Sequence, residues 1–377
     1  MKFKTDIIFW ANINPNKRGS FEDFISKLSK ECKKEGIKII FVLGNDICSI
    51  VKKQFLENFV QYDLISSKSS NFLKQVRNMV TKYKPKIIHF NFTPFCHPAI
   101  IYCKKIVKTK IIFTDHDSRE RIGQDSSIYN YFKLLRRRFY AYFVDKFVAV
   151  SDYIKNNIVN ESLTEKDKNK VVLIYNGVDV DRFSPSKDKT KLKREFLGIK
   201  DTTNVVTFIG QLIYEKGADL LFDCAVSILR EGLDVLFLFI GDGVLHNELK
   251  HKAKSLSKNI RFLGVRNDVD KLLKISDLLV LPSRWGEAFG LAIAEAMACE
   301  IPVIATKVGA IPELVNDETG ILVPVEDVFS LKNSITFLLS HPEKRKLLGQ
   351  VSRERVLRLF NIEKMVKKTI SLYLELL

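Results

Sequence analysis

Short apolar runs alternate with helix-length mixed segments along the whole chain, and that alternation limits the architectures open to it. In the first half, residues 6–10, 37–43, 86–90, 110–114, 146–150 and 171–174 read as buried strands, with helical periodicity over 21–35 and 72–83 between them. The second half repeats the pattern with strands at 204–209, 235–240, 259–262, 278–281, 302–305 and 320–323. A strand that is apolar on both faces needs a covering layer on each side. The pattern therefore predicts α/β domains built on doubly wound parallel sheets, with ligands gathered at the carboxyl ends of the strands. At 377 residues the chain can bury two cores, and the polar segment 184–190, which holds Pro185, is the natural linker.

Other features exclude whole classes. No apolar run approaches the roughly 18 residues that span a bilayer. The start, Met1 to Asp6, lacks the apolar core and cleavage site of a signal peptide. Six cysteines show neither a C-x-x-C pair nor a disulfide framework, which points to a reducing, cytoplasmic setting without structural zinc.

The charge is lopsided. Residues 1–185 carry 33 Lys and Arg against 19 Asp and Glu, whereas residues 186–377 carry 28 against 25. A basic half beside a near-neutral one suggests an anionic partner such as a membrane surface, a phosphorylated lipid or nucleic acid; the alternative is lysine spread over solvated faces. Segment 129–143 is aromatic-rich, with Lys133, Arg136, Arg137 and Arg138 interleaved. It reads either as a helix that lies on an anionic membrane or as a core helix with a basic stripe facing water. No RNA-binding signature, zinc finger or helix-turn-helix pattern accompanies it, so no nucleic acid is expected.

The strand-end loops carry the chemistry. Strand 278–281 runs through a turn-rich loop, 282–290, into an apolar helix at 291–299, an arrangement that presents unpaired amides and a positive dipole end to an anion. Gly286 and Gly290 allow close approach to the backbone. Glu295 sits among Leu291, Ala292, Ile293, Ala294, Ala296, Met297 and Ala298; a carboxylate so placed needs donors, from a ligand's hydroxyls or from a lysine or solvent. Lys216 precedes Gly217 at a helix start, where a cation opposes the dipole and makes sense beside an anion. Gly241-Asp-Gly243 resembles the start of a dinucleotide fingerprint but has His246 where the third glycine belongs. Asp179 and Asp181, and Asp268 and Asp270, have D-x-D spacing, the second pair in a helix-start context that reads as structural. In the first half, Lys17-Arg18-Gly19 precedes Ser20, a candidate N-cap, and His116 lies at a strand end between two carboxylates.

Assembled in order, these loops resemble glycosyltransferase family 4, the retaining, nucleotide-sugar-dependent enzymes with the GT-B fold. Glu287 and Glu295 match the family's E-x7-E motif. Asn176-Gly-Val-Asp179 with Phe183 and Pro185, Gly210 through Lys216-Gly217, and Gly241-Asp-Gly243 match its other motifs. The resemblance implies two Rossmann-like domains facing a central cleft: an acceptor domain at 1–185, a donor domain at 186–354, and a helix at 355–377 that crosses back to the first. It implies transfer of a hexose-type sugar from a nucleoside-diphosphate sugar to a hydroxyl of a glycan or lipid-linked acceptor. Surface polysaccharide or glycoconjugate assembly at the inner membrane face is the implied setting. The sugar nucleotide is a co-substrate, and no cofactor or metal is implied. Glu287, Lys216 and His116 would be catalytic. Gly210, Gln211, Gly241, Val265, Arg266, Phe289, Gly290, Leu291 and Glu295 would bind the donor, and Arg18 and Gly19 would lie near its diphosphate. Gln211 departs from the family's usual arginine, with Arg18 or Arg284 as the candidate replacement, and Arg18-Gly19 departs from a usual glycine pair. The competing readings are a GT-B-fold nucleotide-sugar epimerase and a non-catalytic basic anion-binding protein.

Overall fold

The computed structural model describes residues 5–44, 46–65, 71–117, 128–186, 195, 197–200 and 202–377. It comprises two compact units, residues 1–176 with 363–377 and residues 177–362. The first is built on a parallel sheet of β1 (Ile7–Ala11), β2 (Ile39–Gly44), β3 (Tyr62–Ile65), β4 (Ile87–Asn91), β5 (Lys110–Asp115), β6 (Lys146–Ala149) and β7 (Val171–Leu173), in the order β3-β2-β1-β4-β5-β6-β7. Every residue of β1 and β4 is buried, as continuous apolar strands covered on both faces must be. The order reverses between β1 and β4, so the loops leaving those two strands flank the sheet's natural ligand crevice.

Helix Ser20–Lys34 follows β1. Its cap is Gly19, not the expected Ser20: Gly19 is extended at φ −131°, and the Glu22 carboxylate reaches back to accept from its amide at 2.9 Å. The Ser20 side chain is instead buried in the first turn.

Within this unit, helix Ile362–Leu376 is locked to the sheet through His89 of β4. Its ring nitrogens lie 2.7 Å from the Tyr373 hydroxyl and 2.6 Å from the Thr114 hydroxyl. Burial, helped by the nearby His116, pushes the His89 imidazole down to about 3. The unfolded chain binds this proton near pH 6.5 and the folded one does not, so stability falls as pH drops from about 6.5 towards 3. Thermal melting over that window is expected to decline more steeply for the wild type than for His89→Gln, whose amide hydrogen bonds without titrating.

The second unit carries β8 (Asn204–Ile209), β9 (Val235–Ile240), β10 (Ile260–Gly264), β11 (Leu278–Leu281), β12 (Val303–Thr306) and β13 (Gly320–Val323), all parallel, in the order β10-β9-β8-β11-β12-β13. Leu236, Leu238 and Ile240 of β9 pack with Val205, Leu272 and Ile275 under one face.

Two boundaries differ from expectation. The units part after Asn176 rather than after residue 185, and the expected linker at 184–190 lies partly outside the described residues. The expected single helix at 355–377 is two helices, Pro342–Leu359 and Ile362–Leu376, and the return to the first unit begins at Glu363. Val178 causes the break by bridging residues 360–362: its amide donates to Phe360 at 2.8 Å and its carbonyl accepts from Ile362 at 3.1 Å. The backbone passes so close that a Cβ on Gly177 would lie 2.5 Å from the Ile362 Cα.

Candidate active site

In the second unit the strand order reverses between β8 and β11, and the loops leaving these strands are bound to each other. The Arg284 amide donates to the Glu215 carbonyl at 2.8 Å. Gly217, at φ +69°, lies so near Pro282 that a Cβ would sit 2.0 Å from its carbonyl oxygen. The Arg284 guanidinium grips Asp219 at 2.7 and 2.8 Å, reaches Glu326 at 3.0 Å and covers the Tyr214 ring at 3.6 Å. Arg284 thus holds the two loops together, and it would reach a phosphate only by releasing Asp219 and Glu326.

These ties set Lys216 against Glu287. Lys216 Nζ lies 2.6 Å from Glu287 Oε1, and the same oxygen accepts from Ser283 Oγ at 2.8 Å. Glu287 is only 6% exposed, a depth at which a carboxylate requires such partners. Its backbone is clamped as well. The Ala310 amide donates to the Glu287 carbonyl at 2.9 Å, and a Cβ on Gly309 (φ +55°) would stand 2.4 Å from the Glu287 nitrogen. Gly309→Ala is expected to cost at least about 2 kcal/mol in urea unfolding and to lower activity by displacing Glu287.

Gly290, at φ +99°, caps helix Leu291–Ala298. Glycine brings no side-chain acceptor, and the first helical amides have no intrahelical one, so the N–H groups of Leu291 and Ala292 are offered at the positive end of the dipole. Phe289 buries its ring edge-on against Phe360 at 5.4 Å, which fixes the loop just ahead of the cap. Glu295 lies one turn further on, buried in the same helix. Gly210 and Gly241 meet back to back: a Cβ on Gly241 would be 1.9 Å from the Gly210 carbonyl oxygen. Gln211 and Val265 are exposed just beyond the ends of β8 and β10, the strands on either side of β9. Arg266 pairs with Asp268 at 2.7 and 2.8 Å, and Asp270 meets Arg182 at 3.4 Å, so both aspartates serve helix-start and ion-pair roles.

Arg18 and Gly19 belong to the first unit, in the loop after β1, and His116, just past the end of β5, meets residues that follow β4 and β1. The His116 ring stacks on Phe92 at 4.0 Å and meets Phe21 edge-on at 5.9 Å. Burial pushes its pKa down to about 4, so the ring is neutral near pH 7. With Nε2 3.0 Å from the Asn91 Oδ1, which only accepts, the proton sits on Nε2 and Nδ1 is left as an acceptor. The Gly19 amide is engaged by Glu22, and Arg18 Nε donates to Asp23 at 3.0 Å. Both groups expected near a diphosphate are thus held by carboxylates of the helix they precede.

Sequence reasoning gave no role to Ser283 or Gly309. Gly309 stands three residues beyond β12, the neighbour of β11, and a strand-end glycine there is the signal that could have found it.

Two family profiles match the chain: "Glycosyltransferase Family 4" over residues 22–182 and "Glycosyl transferases group 1" over residues 189–355. The N-acetyl-alpha-D-glucosaminyl L-malate synthase of Bacillus anthracis is 30% identical over 77% of this chain and 75% of its own. The UDP-Gal:alpha-D-GlcNAc-diphosphoundecaprenol alpha-1,3-galactosyltransferase of Escherichia coli is 34% identical, over 56% of this chain and only 55% of its own length. The fold matches that of the Anabaena protein HepE, crystallised with UDP and glucose, with a TM-score of 0.78 at 20% identity, over 97% of this chain and 98% of that one. With its two parallel-sheet domains and the Lys216–Glu287 pair at the β8/β11 reversal, the chain belongs to glycosyltransferase family 4 and is a glycosyltransferase of GT-B fold.

Proposed function

We propose that this enzyme transfers a hexose-type sugar, with retention, from a nucleoside-diphosphate sugar to a hydroxyl of a lipid-linked or glycan acceptor. The observation that carries the reading is the ammonium of Lys216, 2.6 Å from a buried carboxylate that stands three residues ahead of a side-chain-free helix cap. The amides of Gly290, Leu291 and Ala292 receive the diphosphate, and Lys216 turns from Glu287 to neutralise it as it leaves. Glu287, still held by Ser283, then accepts from hydroxyls of the transferred sugar, and Glu295 accepts from the ribose. Gly210, Gln211, Gly241, Val265 and Arg266 line the nucleoside end. Preorganised donors aimed at developing phosphate charge need no metal.

The reaction is a front-face displacement. The bond from the anomeric carbon to the diphosphate oxygen breaks and its electron pair stays on that oxygen. The acceptor oxygen bonds to the same face of the sugar, and its proton passes to the departing phosphate. Within the first unit His116, neutral and presenting Nδ1 as an acceptor, is the group able to take a hydrogen bond from a sugar hydroxyl, and Arg18 and Gly19 become open to an anion only by releasing Asp23 and Glu22. The E. coli relative's substrates, a UDP-sugar and a diphosphoundecaprenol-linked acceptor, support a lipid-linked acceptor, and the excess of Lys and Arg over residues 1–185 supports peripheral contact with an anionic membrane.

A thermal-shift screen over UDP-, GDP- and ADP-sugars, followed by transfer assays, tests this, because a ligand that binds the folded state raises its melting temperature. One sugar nucleotide is expected to stabilise the protein and to release its diphosphate only when acceptor is added. Acceptor-independent turnover would instead support an epimerase.

A further inference from the structure

We propose that the second unit holds a further ligand site, for a phosphorylated sugar, in a cavity apart from the Lys216–Glu287 crevice. The cavity measures about 310 Å³, at the small end of ligand pockets, and is lined by Glu318, Thr319, Val351, Glu354, Arg355 and Arg358. The last four stand at i, i+3, i+4 and i+7 on helix Pro342–Leu359, so one face of that helix forms a wall. Glu318 and Thr319 run into the amino end of β13, opposite the carboxyl strand ends that carry Lys216 and Glu287. Arg355 points to an occupant. Its Nη2 donates to the Glu313 carbonyl at 2.6 Å, but its Nε is buried and has no acceptor among the described residues. A buried N–H without an acceptor is rare in a folded protein, and here a cavity lies against the guanidinium that carries it.

Chemistry selects the class of ligand. Two guanidiniums on one wall suit a phosphate, whose oxygens take their planar N–H groups in pairs. Two carboxylates in the same cavity repel a bare oxyanion but accept from hydroxyls. A molecule with a phosphate at one end and hydroxyls at the other satisfies both. The lining residues include no aromatic ring on which a base could stack, so a nucleotide fits less well. The Thr319 hydroxyl accepts from the Asn316 amide at 2.9 Å and serves the turn instead of the ligand. Occupancy reaches the reacting end of the unit through the backbone. Arg355 holds the Glu313 carbonyl, the Glu313 amide donates to the Ala310 carbonyl at 2.9 Å, and the Ala310 amide donates to the Glu287 carbonyl at 2.9 Å. A ligand that fixes Arg355 therefore steadies Glu287 and tightens donor binding. Only this last step rests on the proposed function; the binding itself does not.

Isothermal titration calorimetry of the full chain tests it, with the sugar nucleotide that raises its melting temperature already saturating. One of the 6-phosphates of glucose, galactose and mannose is expected to bind. Inorganic phosphate and the free hexose, each carrying half of the recognition, are expected to bind at least about tenfold more weakly. Arg358→Ala and Arg355→Lys are each expected to weaken hexose-phosphate binding about tenfold with circular dichroism unchanged, the second because lysine keeps the charge and loses the Nε donor. Glu318→Ala/Glu354→Ala is expected to narrow the preference for the hexose phosphate over phosphate by at least about fivefold, whereas an adventitious anion patch would bind both more tightly. The hexose phosphate is also expected to lower the dissociation constant of the sugar nucleotide by about fivefold, the low end of measured couplings, and Arg358→Ala to abolish that effect. No binding overturns the proposal, as does binding that the sugar nucleotide displaces, binding unchanged in Arg358→Ala and Arg355→Lys, or a donor affinity that the hexose phosphate leaves unaltered. If no sugar nucleotide binds at all, the proposed function fails, and titration of the hexose phosphate alone still reads this cavity.

Discussion

Lys216→Ala is expected to lower kcat for sugar transfer by about 10²–10³-fold, the scale seen when one preorganised donor to a developing charge is removed. The ammonium sits at the β8/β11 reversal, 2.6 Å from Glu287, and in the proposed reaction it is the full positive charge that the second unit brings to the leaving diphosphate. The substitution also touches stability. It leaves Glu287, 6% exposed, with Ser283 as its remaining side-chain partner, and a buried carboxylate stripped of its cation destabilises a fold by about 1–3 kcal/mol here, less than for a fully enclosed pair because Lys216 is itself 24% exposed. Stopped assays with saturating donor, run beside urea unfolding, separate the two effects. Transfer at wild-type rate contradicts the role given to Lys216.

Glu287→Gln is expected to be nearly as damaging to transfer and far gentler to the fold. Its amide oxygen still accepts from Lys216 and Ser283, so neither loses its acceptor, yet the negative charge that would hold the sugar hydroxyls and steady a cationic anomeric centre is gone. A loss of about 10²-fold in kcat is expected, with the melting temperature close to wild type. Glu287→Ala loses both, because Ser283 and Lys216 are then left facing a cavity. Combining Lys216→Met with Glu287→Gln should cost less stability than the two single changes summed, since the members of one ion pair are not independent. Strict additivity in urea unfolding would mean that the 2.6 Å contact carries no energy.

The second sheet was readable in the sequence because its strands are continuous apolar runs: all six expected segments are strands, and the residues of β9 and β11 are buried throughout. Strand β3 was not. It is four residues at the sheet edge, Tyr62, Asp63 and Leu64 are half-buried or exposed, and only Ile65 is buried, so no periodicity marks it. The break at Phe360 and Asn361 was hidden for a different reason. No proline or glycine marks it, and the chain is bridged there to Val178, far away in sequence. The two glutamates of the site were legible by spacing. The contact between Lys216 and Glu287 was not, because 71 residues separate them and only the parallel register of β8 against β11 brings their loops together. The grip of Arg284 on Asp219 was hidden for the same reason, since 65 residues separate the two.

The most direct measurement is a crystal of the protein soaked with the sugar nucleotide that raises its melting temperature. The account predicts the pyrophosphate at the amides of Gly290 and Leu291, with the Lys216 ammonium swung onto it and the ribose hydroxyls on Glu295. Density for the nucleotide elsewhere on the second unit, with Lys216 still bound to Glu287, would contradict it.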